Sequence, residues 1–254
     1  MLTDSHCHLD APEFDGDRDA VIQRARAAGV THQVVPAITA ASWSKLREVC
    51  TSANGLFPAY GLHPMFLAEH RPEHLTQLRE WIEHEKPVAV GECGLDFFAE
   101  GLDAQAQQEY FEGQLRLARE FDLPLIVHAR RAVDAVIAAI RHIGGLHGVV
   151  HSYSGSEEQA RQLWKHGFLL GLGGPVTYER AQRLRRLAAT MPLEYLLLET
   201  DAPDQPDSGI RGQRNEPARL GVVCNTIAAL RGITPEDLAR ATSDNATRLF
   251  KLPL

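Results

Sequence analysis

The feature that most constrains the fold is a repeated alternation, in which short β-branched or apolar runs are each followed by a longer amphipathic stretch. The pattern predicts strands near Leu2–His6, Thr31–Ala37, Phe57–Leu62 and Pro87–Glu92. Four more follow near Leu123–His128, Gly148–His151, Phe168–Leu172 and Tyr195–Glu199. Helical patterns fall between them, at Arg18–Ala28, Glu73–Glu85, Gln105–Phe121, Ala132–His142, Glu157–His166, Glu179–Thr190 and Ala218–Leu230. Strands that alternate with helices form parallel sheets with right-handed crossovers. Runs such as Leu123-Pro124-Leu125-Ile126-Val127 and Leu196-Leu197-Leu198 are apolar throughout, as strands covered on both faces are. An open doubly wound sheet shares this alternation. The count of eight strands, together with the polar residues described below, favours an α/β chain closed into a (β/α)8 TIM barrel. Thr234-Pro235-Glu236-Asp237 then opens a C-terminal extra helix, with Thr as N-cap, Pro in the first turn and acids beside it.

A chain of 254 residues matches one such barrel, and no linker, low-complexity tract or internal repeat divides it. The expectation is a single metal-dependent hydrolase domain over residues 1–254. No apolar run reaches the roughly 18 residues a membrane span needs. The start, Met1-Leu2-Thr3-Asp4-Ser5-His6, has neither the basic patch nor the apolar stretch of a secretion signal. Cys7, Cys50, Cys93 and Cys224 lie far apart with no C-x-x-C pair, which fits reduced thiols and a cytoplasmic location. No obligatory protein partner is evident. The net charge of −7 repels nucleic acid at long range, so a nucleic-acid partner must be gripped by a local basic patch or by bound cations.

The chemistry lies in where histidines and acids fall. His6 and His8 end the first predicted strand, and a spacing of two puts them on one face of an extended chain. Glu92 ends the fourth strand, His128 the fifth and His151 the sixth, and Asp201 follows the eighth. In (β/α)8 enzymes the C-terminal strand ends form the catalytic face. Four imidazoles and two carboxylates gathered there would be unstable without a cation. Divalent metal resolves this, because neutral imidazole and carboxylate are its usual ligands. Six ligands exceed one tetrahedral ion and fit two ions that share a carboxylate. Ions roughly 3.5–4 Å apart can generate hydroxide and clamp a leaving oxygen.

These residues also carry a resemblance. His6-Cys7-His8, Gly61-Leu62-His63-Pro64, Gly91-Glu92-Cys93-Gly94-Leu95-Asp96, His128-Ala129-Arg130, His151-Ser152-Tyr153-Ser154-Gly155 and Glu199-Thr200-Asp201-Ala202-Pro203 are similar, in order, to the signatures of the TatD family. That family comprises metal-dependent deoxyribonucleases and hydrolases of the amidohydrolase-like superfamily, and Gly173-Gly174-Pro175-Val176-Thr177-Tyr178 most resembles its YjjV-like branch. The resemblance implies that His6, His8 and Asp201 hold one ion, that His128 and His151 hold the other, and that Glu92 bridges them. It implies two divalent metal ions (Zn, Mn or Mg), single-stranded DNA as the partner and 3′→5′ exonuclease activity. Cys93 and Phe97 depart from the aliphatic residue and Tyr more usual there.

Asp201 is the expected general base, with Glu92 the second catalytic residue. His63, Arg130 and Arg211 are the expected substrate contacts, and Arg214 lies in the same loop as Arg211. The alternative substrate is a small-molecule or aminoacyl-tRNA ester or amide, since fold and metals do not choose among esters. Glu199 reads equally as an orienter beneath the metals or as a backbone cap, and Asp96 and Asp10 as residues that fix loops. Cys93 belongs on the outer face. His70, His74, His84, His142, His147 and His166 fall on helices or connections and are expected at the solvated surface.

Overall fold

The computed structural model describes residues 1–253. Eight strands pair in chain order: β1 (Leu2–Asp4), β2 (Val30–Pro36), β3 (Leu56–Tyr60), β4 (Ala89–Asp96), β5 (Leu125–Arg130), β6 (Gly148–Val150), β7 (Phe168–Leu172) and β8 (Leu196–Leu198). The helices between them are α1 (Arg18–Ala27), α2 (Trp43–Ser52), α3 (Glu73–Glu85), α4 (Ala104–Phe121), α5 (Val133–Ile143), α6 (Glu157–Lys165), α7 (Gln182–Thr190) and α8 (Leu220–Arg231), with α9 (Pro235–Phe250) as the extra C-terminal helix. Parallel neighbours joined in chain order through helices are the (β/α)8 TIM barrel the sequence predicts. The segment after β1 returns to β8, with Ser5 N donating to Leu198 O at 3.0 Å.

Two compact units make up the chain. The first gathers Met1–Val35, Val49–Phe57 and the chain from Leu170 onward; the second gathers Pro36–Glu48 and Pro58–Leu169. In the first, Leu9, Phe14, Ile22 and Phe250 are among the largest fully buried side chains. Thr234 accepts a hydrogen bond from Asp237 N and Pro235 opens α9, as the sequence predicts. Asn245 of α9 then donates to Leu193 O and Leu196 O, at 2.8 and 3.0 Å, which fastens the helix to the start of β8. In the second unit the core includes Tyr60, Leu62, Leu78, Leu95, Phe111 and Leu115. Trp43 and Trp81 pack against Tyr60, and Trp43 Nε1 donates to Gly61 O at 3.2 Å.

Strand β4 differs from expectation. It runs past Glu92 to Asp96, so Glu92 sits inside the strand. The register against β5 slips between Val90 and Cys93, which is what a bulge does when it re-aims one side chain. Close approach explains Gly94, whose φ is +138° and whose added Cβ would lie 2.0 Å from His128 O. Among the described residues no helix is long and apolar enough to cross a membrane.

Candidate metal centre

In the first unit the segments after β1 and β8 bring His6, His8 and Asp201 together. The two Nε2 atoms are 3.1 Å apart, and Asp201 Oδ1 lies 3.4 Å from His6 and 3.7 Å from His8. Backbone pairing sets this geometry: Asp201 N donates to His6 O at 2.9 Å and His8 N to Ala202 O at 2.7 Å. Asp201 adopts φ +56°, an uncommon conformation for a non-glycine residue. Gln205 Nε2 donates to its Oδ2.

Two buried residues hold that loop. The Asp4 carboxylate accepts Thr200 N at 3.0 Å, Thr200 Oγ1 at 2.6 Å and His6 N at 3.3 Å. Burial lifts its pKa to about 7, against the pull of the Thr200 hydrogen bonds. Asn215 Nδ2 donates to Thr200 O and Asp204 O, both at 2.8 Å. The sequence reading missed both residues. Their signal is weak: an acid inside a short apolar strand, and an amide in a loop dominated by arginines.

In the second unit Glu92 meets His128 and His151. Glu92 Oε1 is 2.8 Å from His151 Nε2 and 3.3 Å from His128 Nδ1, and those two nitrogens are 3.3 Å apart. His63 Nε2 also reaches Glu92 Oε1, at 2.9 Å. Its Nδ1 accepts Met65 N at 3.1 Å, so Nε2 carries the ring proton and donates it to the carboxylate. Burial keeps the His63 ring below the usual histidine range, with Glu92 offsetting only part of the effect. Both ring nitrogens of His63 are thus engaged within the protein.

Asp96, four residues beyond Glu92 on β4, does more than fix a loop. Its Oδ2 lies 2.8 Å from His128 Nε2, and its Oδ1 accepts Phe98 N and Ala99 N at 2.9 Å each. Burial disfavours its charge, but the His128 bond and the two amides outweigh that and hold Asp96 at about 2. Burial likewise opposes a charged His128, yet Asp96 and Glu92 together lift it to about 9. A carboxylate on the far ring nitrogen orients the near one as a metal ligand. Helix α4 grips the backbone that carries these groups. Its buried Gln107 exchanges two hydrogen bonds with the Asp96 main chain, at 2.7 and 3.0 Å. Gln114 does the same with Leu62, at 2.7 and 3.1 Å. Two glutamines seven apart on an otherwise apolar helix face were the overlooked signal.

Each triad offers two imidazole nitrogens and one carboxylate oxygen, and such donors converge naturally on a cation. His6, His8 and Asp201 form one group whose ligand atoms all lie within 4.8 Å, and in the second triad the nearest atoms of Glu92, His128 and His151 lie within 3.3 Å of one another. Two imidazole nitrogens at van der Waals distance cannot both present protons to each other, whereas both can direct lone pairs at one ion. The donor set fits divalent metal.

Other expected residues fall as follows. Arg130 is exposed at the end of β5, its guanidinium 3.7 Å from the Phe98 ring centre. Arg211 is also exposed. Arg214 is committed elsewhere, to Asp17 through two bonds of 2.8 Å and to Glu13 O. Glu199 is buried, and Gly171 clears its space, since a Cβ there would lie 1.9 Å from Glu199 Oε2. Cys93 points at Ile126 O, and burial pushes its thiol far up. His70 departs from the surface expectation: it is buried, with Nε2 2.8 Å from His63 O, because the short helical turn Pro64–Glu69 folds it back under His63.

The sequence pattern described as "TatD related DNase" matches residues 3–251. The chain belongs to that family. Family members similar to it include an uncharacterized metal-dependent hydrolase, YjjV, of Escherichia coli K12, 41% identical over 253 residues that cover 98% of each chain. A 3′-5′ ssDNA/RNA exonuclease TatD of Erwinia billingiae is 34% identical over 260 residues, covering 99% of this chain and 100% of that one. The crystal structure of the Escherichia coli YjjV protein superposes with a TM-score of 0.94 at 39% identity, covering 99% of this chain and 98% of that one. Membership of this family makes the chain a metal-dependent hydrolase.

Proposed function

We propose that the chain acts as one cytoplasmic domain that hydrolyses phosphodiester bonds of single-stranded DNA from the 3′ end, with two divalent ions held by its two triads. The observation that carries this reading is the doubled triad itself, two imidazoles with one carboxylate in each unit. His6, His8 and Asp201 would hold one ion, and His128 and His151 with Glu92 the other. The DNA substrate is taken from the TatD exonuclease relative. Bound divalent ions supply an acidified water and neutralise charge on the phosphoryl oxygens.

The chain's own residues divide the remaining work. Asp201 accepts the proton of the attacking water. Its Oδ1 faces two imidazoles, and its side chain keeps 11% exposure, so it remains within reach of water. Glu92 is 2% exposed and enclosed by three imidazoles, which suits a fixed ligand rather than a base. His63 holds Glu92, and Asp96 holds His128. Arg130 and Arg211 meet the phosphate. The water oxygen bonds to phosphorus, the ester P–O bond breaks, and the departing oxygen takes the proton that Asp201 accepted.

A second reading, hydrolysis of a small or aminoacyl-tRNA ester or amide, is favoured by the net charge of −7. One assay separates them. End-labelled single-stranded DNA is incubated with the protein in Mg²⁺, in Mn²⁺ and in EDTA, beside His128→Ala. Shortening from the 3′ end that EDTA and the substitution abolish is the expected result. Intact DNA, with cleavage of simple carboxyl esters, would overturn the nuclease in favour of the second reading.

A further inference from the structure

We infer that the Phe97–Phe98 turn and the adjacent Arg130 and Arg131 form a platform on which an unpaired base of the substrate strand stacks, its flanking phosphates held by the two guanidinium groups. This rests on the nuclease reading and extends it to residues that touch neither triad's ligand atoms.

Phe97 and Phe98 are each 43% exposed, in a chain whose other aromatic side chains are largely covered. The guanidinium carbons of Arg130 and Arg131 lie 3.7 and 4.6 Å from the Phe98 ring centre. Planar aromatic and guanidinium faces are the surfaces on which unpaired bases stack, whatever their sequence. Among the described residues no carboxylate pairs with Arg130 or Arg131, whereas Arg79, Arg116 and Arg161 each pair with a glutamate. Two adjacent uncompensated cations, in a chain of net charge −7, are the local basic patch that a nucleic-acid partner requires. Arg131 adopts φ +54°, an uncommon conformation for a non-glycine residue.

The platform is tied to the second triad. Phe97 N donates to Arg130 O at 2.9 Å, which stitches the turn to β5 two residues beyond His128. Asp96 binds Phe98 N with one oxygen and His128 with the other. A base held there would lie on the backbone segments that carry Asp96 and His128.

The test measures binding without turnover. Fluorescein-labelled oligo-dT and an abasic strand of equal length are titrated by anisotropy with the intact protein in EDTA, at several salt concentrations. Phe98→Ala should weaken oligo-dT binding on the order of 10-fold, and Phe98→Trp should restore it. The abasic strand should bind wild type and Phe98→Ala alike. Arg131→Ala should weaken both strands and flatten the salt slope by about one. Equal oligo-dT affinity for wild type and Phe98→Ala would overturn the platform, as would an equal loss on the abasic strand. If wild type neither binds nor cuts DNA, the nuclease reading fails along with it. If wild type cuts and Phe98→Ala binds as well as wild type does, the platform alone fails.

Discussion

The two triads use the same donors but are held in different ways. In the first, His6 and His8 sit two residues apart on the segment after β1, and main-chain bonds from Asp201 N to His6 O and from His8 N to Ala202 O set their place beside Asp201. In the second, β4, β5 and the residue after β6 contribute one member each, and side chains do the holding: Asp96 on His128, His63 on Glu92. The carboxylates differ accordingly, with Asp201 partly open and Glu92 enclosed. On the proposed reading, the more open carboxylate serves proton transfer and the enclosed one serves as a fixed ligand.

The sharpest way to break this contrast is to neutralise each carboxylate. Asp201→Asn should keep the fold and the ion of the second triad while turnover falls by about 10²–10⁴-fold. Glu92→Gln should abolish turnover as well and should also strip metal, read by elemental analysis of the same samples. Equal metal loss in both variants would erase the proposed division of labour. The support residues come next. Asp96→Asn should weaken metal retention by about 10–100-fold, measured by competition with a chelating dye, and leave one ion on the first triad.

Asn215→Ala acts on the other side of the comparison. It leaves the buried carbonyl of Thr200 without its donor and frees that of Asp204, which should cost about 1–3 kcal/mol in urea unfolding. Turnover should fall with it while the second triad keeps its ion. The smallest effect belongs to Asp17, which pairs with Arg214 at the rim of the same loop. Arg214 holds its carboxyl at about 2, below the ordinary 3.8. A depressed acid stabilises the fold above the ordinary value, and that contribution fades as pH falls through about 2. Asp17→Asn should therefore lower Tm slightly at pH 6, by an amount that shrinks as the pH is lowered below 4, with metal content unchanged.

The alternation of strands and helices gave the barrel order because period-two and period-3.6 patterns are local properties of sequence. The members of the two triads were legible as candidates because histidines and acids at predicted strand ends are rare in a core. What was hidden depended on backbone detail. Glu92 was expected at a strand end, yet β4 continues past it, since Gly94 lets two strands approach more closely than side chains allow. His63 and His70 each lie outside any strand, and the turn at Pro64–Glu69 is what folds His70 back under His63. Asp4 reaches Thr200, Asp96 reaches His128, Gln107 reaches Asp96 and Asn215 reaches Thr200, all partners distant in sequence that no local pattern marks.

The most direct test of the account counts ions. Purified wild type, His6→Ala/His8→Ala and His128→Ala/His151→Ala are loaded with Mn²⁺ or Zn²⁺, desalted and analysed for metal per chain. The account predicts two ions in wild type and one in each double variant. A wild type that holds no metal, or one whose ion count neither pair of substitutions lowers, would contradict it.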